Sequence, residues 1–141
     1  MRIIALAGLA AGEKSELALD LARHFSEAGQ RVHLIDNMQH MTIPTDRLPP
    51  AVTYQRIHDL GAATTAATEA GADVVLLAVA EQAAPDELFA LLDGSAVDVR
   101  VLAIVDDRTC DCFPTLRQTL EDHADAVLRP PFTLREALEH L

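Results

Sequence analysis

Residues 2–36 read RIIALAGLAAGEKSELALDLARHFSEAGQRVHLID, and this stretch decides the fold. Arg2 to Leu9 is an apolar run of the length and kind that forms a buried strand. From Ser15 to Ala28, Leu17, Leu21 and Phe25 recur every four residues beside Ala18 and Ala22, which is one face of an α-helix. Gly29 supplies the stop, and Arg31 to Asp36 is a second apolar run. Strand, helix and strand in so short a stretch make a parallel βαβ unit.

The rest of the chain repeats that alternation. Asn37 to Pro50, with prolines at 44, 49 and 50 and no period, predicts an irregular loop. Ala51 to Ile57 predicts a short edge strand, because Thr53, Gln55 and Arg56 are polar. Asp59 to Ala70 is an Ala-rich helix ending at Gly71, and Asp73 to Ala80 a central strand apolar on both faces. Pro85 to Leu92 predicts a helix with proline in its first turn, stopped by Gly94. Val99 to Val105 is another central strand. Phe113 to His123 is helical with Leu116 and Leu120 inward, and Ala126 to Leu128 gives a last short strand. Thr133 to Leu141 closes the chain, with Thr133 and Glu136 in capping-box spacing. The expectation is a single three-layer α/β/α domain over residues 1–141, with a mostly parallel sheet of five or six strands.

Composition narrows the function classes. With 141 residues, half of them hydrophobic, the chain has enough apolar side chains for a core, and disorder is excluded. Acidic residues outnumber basic ones 22 to 11, for a net charge of −11. Nucleic-acid and membrane-surface binding both need clustered Lys and Arg, so neither is expected. Residues 1–35 carry four bases and four acids, so the remainder holds the whole deficit. The N-terminal run lacks the charged region and cleavage site of a signal peptide. Cys110 and Cys112, one residue apart, make no disulfide framework, and a cytoplasmic, reducing location is expected.

Ligands of open parallel sheets bind where strands run into the next helices. The first such place is Gly8-Leu9-Ala10-Ala11-Gly12-Glu13-Lys14-Ser15. It follows the phosphate-loop pattern G-x-x-x-x-G-K-[ST] at Gly8, Lys14 and Ser15, with Glu13 where the second glycine belongs. Small residues let backbone N–H groups curl around phosphate oxygens, the helix start adds partial positive charge, lysine reaches the outer phosphates, and the serine hydroxyl can ligate Mg²⁺. Lys14 is the only lysine in the chain. Glu13 brings a Cβ and a carboxylate where a phosphate would lie, so the loop reads as a degenerate Walker A motif with weak or no hydrolysis.

From Arg2 to Gln39 the sequence resembles the P-loop NTPases of the ParA/MinD-like (SIMIBI) type. The resemblance rests on the phosphate loop, the A-L-x-L-A helix pattern, and Gly29, Arg31, Val32, Leu34, Ile35, Asp36 and Gln39, which match that family's G-x-R-V-L-L-I-D-x-D-x-Q run. It implies ATP or GTP with Mg²⁺ as cofactor, a phosphate cradle from Gly8, Gly12, Lys14 and Ser15, and Asp36 as the acid near Mg²⁺ and the attacking water, with Ser15 and Asp36 on the metal. Leu9 stands where the family's extra signature lysine falls. Ala78 occupies the Walker B acid position, with Glu81 just beyond, and Asp106-Asp107-Arg108 replaces the base-recognising pair. The C-terminal half, DVVLLAV, VRVLAIVDDRT and ADAVLRPPFTLREALEHL, resembles a response-regulator receiver domain, with Ala78 in place of the phosphoryl-accepting Asp and Arg129 in place of its Lys.

Cys110 and Cys112, with His40 or Asp106, are of the right kind for a soft metal, against the plainer reading of two ordinary thiols at a helix start. No nucleophile elbow or Ser–His–Asp order is present. Three functional expectations follow. The first is a nucleotide-associated regulatory or scaffold protein. The second is a non-catalytic interaction module, a pseudo-ATPase or pseudo-receiver, that binds a protein partner or forms a homodimer. The third is a small active ATPase or kinase, which Glu13 and Ala78 oppose.

Overall fold

The computed structural model describes residues 1–83, 85–94 and 97–141. Six strands form one sheet: β1 (Arg2–Ala7), β2 (Val32–Asp36), β3 (Thr53–Arg56), β4 (Val74–Ala78), β5 (Asp98–Ile104) and β6 (Ala126–Leu128). Their spatial order is β3-β2-β4-β1-β5-β6, and every pairing is parallel. The helices are α1 (Ala11–Glu27), α2 (Leu60–Glu69), α3 (Pro85–Asp93), α4 (Asp107–Cys112), α5 (Pro114–His123) and α6 (Leu134–Leu138).

Because strand side chains alternate, each central strand feeds two cores. Ile4, Leu6, Leu34, Leu76 and Leu102 face one way, onto Leu17, Leu21 and Phe25 of α1 and Ala137 of α6. Ile3, Ala5, Val75, Leu77 and Ala103 face the other, onto Ala63 and Ala67 of α2, Leu88 of α3 and Leu120 of α5. Hence α1 leaves β1 on one side, while α3 and α5 lie on the other. The C-terminal tips of β1, β4 and β5 therefore surround a topological switch point, the place where open α/β sheets bind ligands.

Several boundaries differ from the sequence reading. The first helix begins at Ala11, not Ser15, because Ala10 and Ala11 are strong helix formers and Glu13 suits the positive end of a helix. The region after β5 holds two helices: Asp106 caps α4 by accepting from the Thr109 N–H, and Pro114 starts α5 afresh. The closing helix ends at Leu138. The loop after β2 contains a 3₁₀ turn at Thr45–Arg47, and β3 does lie at the sheet edge. In receiver-type sheets the first strand pairs with the second; here β4 lies between them.

Candidate functional site

The loop between β1 and α1 is only Gly8, Leu9 and Ala10. Gly8 has a φ of +118°, and a Cβ there would overlap the Ile104 carbonyl oxygen of β5. Glycine is thus required by strand–loop packing, whatever else the loop binds. The Ala11 N–H turns back to the Leu9 carbonyl at 2.8 Å, and the Lys14 N–H already makes a helical bond to Ala10 at 2.9 Å. Gly12 and Glu13 fall in the first turn of α1, whose leading N–H groups have no intrahelical partner. Gly12 and Glu13 lie on the exposed side of that turn, with Glu13 directed to solvent.

Lys14 points the opposite way. Its side chain is fully buried, and Nζ donates to the carbonyl of Val79, just past β4, at 2.6 Å. Burial pushes this ammonium down from 10.5 to about 8, against the opposing pull of the Glu81 and Asp36 carboxylates. Ser15, the next residue of α1, is also buried.

Glu81 closes the other side. It is 5% exposed, and its two oxygens accept from the Gln39 N–H at 2.9 Å and the His40 N–H at 2.7 Å. Two successive backbone N–H groups aimed at one carboxylate make a small anion nest. Burial opposes the charge on Glu81, but the Gln39 and His40 amides, its own N–H and Lys14 outweigh it and hold the carboxyl below its ordinary value. The oxyanion on this nest therefore belongs to the chain itself.

Asp36 serves the same loop from beneath. One oxygen accepts from the Met38 N–H at 3.0 Å; the other takes the Ile43 N–H at 3.0 Å, the Tyr54 hydroxyl at 2.8 Å and the Arg56 guanidinium at 3.3 Å. Four donors, one of them the Arg56 guanidinium, thus occupy this carboxylate, three of them on one oxygen. Of the residues expected to cradle a phosphate, Gly8 directly follows β1, Gly12 is exposed, and Lys14 and Ser15 are buried.

Sequence reasoning missed Asn37. Fully buried, it donates to the Ile57 and His58 carbonyls and accepts from the Ala80 N–H, tying the exits of β2, β3 and β4 together. Only its place beside Asp36 at a strand end could have marked it. A pocket of about 320 Å³ remains outside the closed loop, walled by Leu9, Ala11, His40, Glu81, Gln82 and Arg108. Cys110, half-buried, accepts from Arg129 Nη1 at 3.5 Å, and Cys112 is exposed. Asp106 is committed to Thr109, and among the described residues no group of three or more His, Cys, Asp or Glu could hold a metal. Among them, too, no helix is long and apolar enough to cross a membrane.

No protein-family model and no curated protein matches the chain. Solved structures do. The signal recognition particle 54 kDa protein from Aeropyrum pernix K1, in complex with GDP, superposes with a TM-score of 0.63 at 16% identity, over 90% of this chain and 34% of that one. The fold is P-loop NTPase-like. FtsY from Mycoplasma mycoides follows at a TM-score of 0.60 and 18% identity, over 92% of this chain and 51% of that one. FlhF complexed with GMPPNP and Mg²⁺ gives 0.57 at 11% identity, over 91% and 54%. The chain thus spans between about a third and a half of the length of these proteins.

Proposed function

We propose that this domain is a non-hydrolysing regulatory or scaffold module of the P-loop type, whose anion site is filled from within. The reading is carried by one observation: the lysine of the phosphate loop is fully buried and spent on the Val79 carbonyl. Glu81, on the Gln39 and His40 amides, supports it as a built-in competitor for an incoming phosphate. A bound nucleotide has to extract Lys14, unwind the start of α1 and bring phosphate charge against Glu81. At effective dielectric constants near 20, one such like-charge contact at close range costs about 4 kcal/mol.

A second reading is nucleotide binding after the loop opens. It is favoured by the register of Gly8, Lys14 and Ser15 and by the fold neighbours solved with GDP and with GMPPNP and Mg²⁺. Thermal unfolding with millimolar MgATP, MgGTP or MgGDP separates the two, with phosphate release measured in parallel. The self-filled site predicts no rise in melting temperature and no release above that of Lys14→Ala. A nucleotide-dependent rise that Lys14→Ala abolishes establishes the second reading and removes the first.

A further inference from the structure

The side of α1 that carries Gly12, Glu13, Glu16 and Asp20 borders a groove. Its floor and far wall are apolar: Leu17 beneath, Pro130, Pro131 and Phe132 from the segment between β6 and α6, and Leu134 at the start of α6. Its near rim is acidic. Glu13, Glu16 and Asp20 line one side of α1, spaced so that they share a helix face. The cleft encloses about 650 Å³, within the roughly 300–1,000 Å³ of ordinary ligand clefts.

We propose that this groove docks a cationic, apolar-anchored peptide segment of another protein, with arginine over the carboxylate rim and leucine or phenylalanine on the floor. Charge decides the occupant. Glu13 has no hydrogen-bond or ion-pair partner among the described residues, and Asp20 is only 3.7 Å from Arg23 in an exposed pair. Glu16 is already paired bidentately by Arg47 at 2.6 and 3.0 Å, so Glu13 and the weakly paired Asp20 are the carboxylates left for an incoming cation. A purely apolar occupant would bury the Glu13 carboxylate without a partner. A second copy of this chain carries the same net −11 and would bring acid against acid. Arginine suits the rim better than lysine, since its planar fork pairs carboxylates bidentately and lies flat on a ring such as that of Phe132. Glu13, which stands where the phosphate-loop pattern has its second glycine, is one of the carboxylates of this rim.

The test is fluorescence anisotropy on the full chain with labelled peptides that alternate Arg with Leu and Phe, Arg with Ser, or Glu with Leu and Phe. The expected result is saturable, salt-sensitive binding of the Arg–Leu/Phe peptide, with the other two about tenfold weaker or worse. Binding falls by a similar factor in Glu13→Lys/Asp20→Lys, and measurably in the milder Glu13→Gln/Asp20→Asn should the first variant unfold. It holds in Glu27→Lys/Glu69→Lys, which changes net charge equally but lies off the groove. No binding, equal binding of the Arg–Ser or Glu–Leu/Phe peptide, or equal loss in the off-groove variant overturns the proposal. So does a dimer in sedimentation that the groove variant dissolves, which assigns the face to a second copy. None of these outcomes depends on nucleotide, so the groove and the self-filled anion site stand or fall separately.

Discussion

Gly8 and Gly12 belong to one sequence motif, yet the structure gives them opposite physical roles. Gly8 sits at positive φ with its α-carbon against the Ile104 carbonyl, so Gly8→Ala combines backbone strain with a clash against a neighbouring strand. It is expected to cost about 3 kcal/mol or more, read as a shift in the urea midpoint. Gly12 lies inside α1 with open space around the position of a Cβ. Gly12→Ala is therefore expected to stabilise by a few tenths to about 1 kcal/mol. A loss of stability in Gly12→Ala would show that the loop is wound differently from the helix described here. Glu13 follows the same logic: unsuited to a phosphate cradle, it is well suited to the first turn of a helix.

At the scale of elements, the segment after β2 is shaped by carboxylates that contact the backbone. Asp36 gathers Met38, Ile43, Tyr54 and Arg56, and Glu81 holds Gln39 and His40 from across the site. Replacing Asp36 by Asn keeps the shape but sets an NH₂ group against a ring of donors. Asp36→Asn is expected to destabilise by about 2–4 kcal/mol, since a buried charged partner is removed from groups that stay buried. Amide hydrogen exchange of residues 38–43 should accelerate before that of β1 or β4, with or without Mg²⁺ present. If instead the variant matches the native chain until Mg²⁺ is added, Asp36 is a metal ligand and not an anchor.

For the molecule as a whole, Lys14 makes stability depend on alkaline pH in an unusual direction. Its folded value, about 8, lies below the ordinary 10.5. Between those values the unfolded chain holds more protons than the folded one, so raising the pH favours folding. Tyr54 acts oppositely: burial first, then the Asp36 hydrogen bond, pushes it up from 10 to about 12, so above about pH 10 it makes stability fall. Stability in urea is expected to climb by about 2 kcal/mol from pH 8 to pH 10 and then turn over. Lys14→Met should flatten the climb and leave the turnover. A native curve that is flat across this window would mean that Lys14 is open to water, which also removes the proposed function.

The first βαβ unit and the placing of Lys14 and Asp36 at strand ends were legible in residues 2–36, because hydrophobic period and glycine stops are local signals that bulk packing obeys. The register of Leu17, Leu21 and Phe25 already named the buried face of α1. Residue types could not reveal the direction in which each motif residue points. Ala10, Ala11 and Glu13 favour the early helix start seen before Lys14. Whether Lys14 meets a phosphate or the Val79 carbonyl depends on where β4 ends, a contact 65 positions away in the chain. The sequence by itself determined that Lys14, Asp36 and Glu81 lie near the ends of β1, β2 and β4. Only the tertiary structure decided that they satisfy one another, because buried charges take the partners nearest in space, and sequence spacing does not encode that distance.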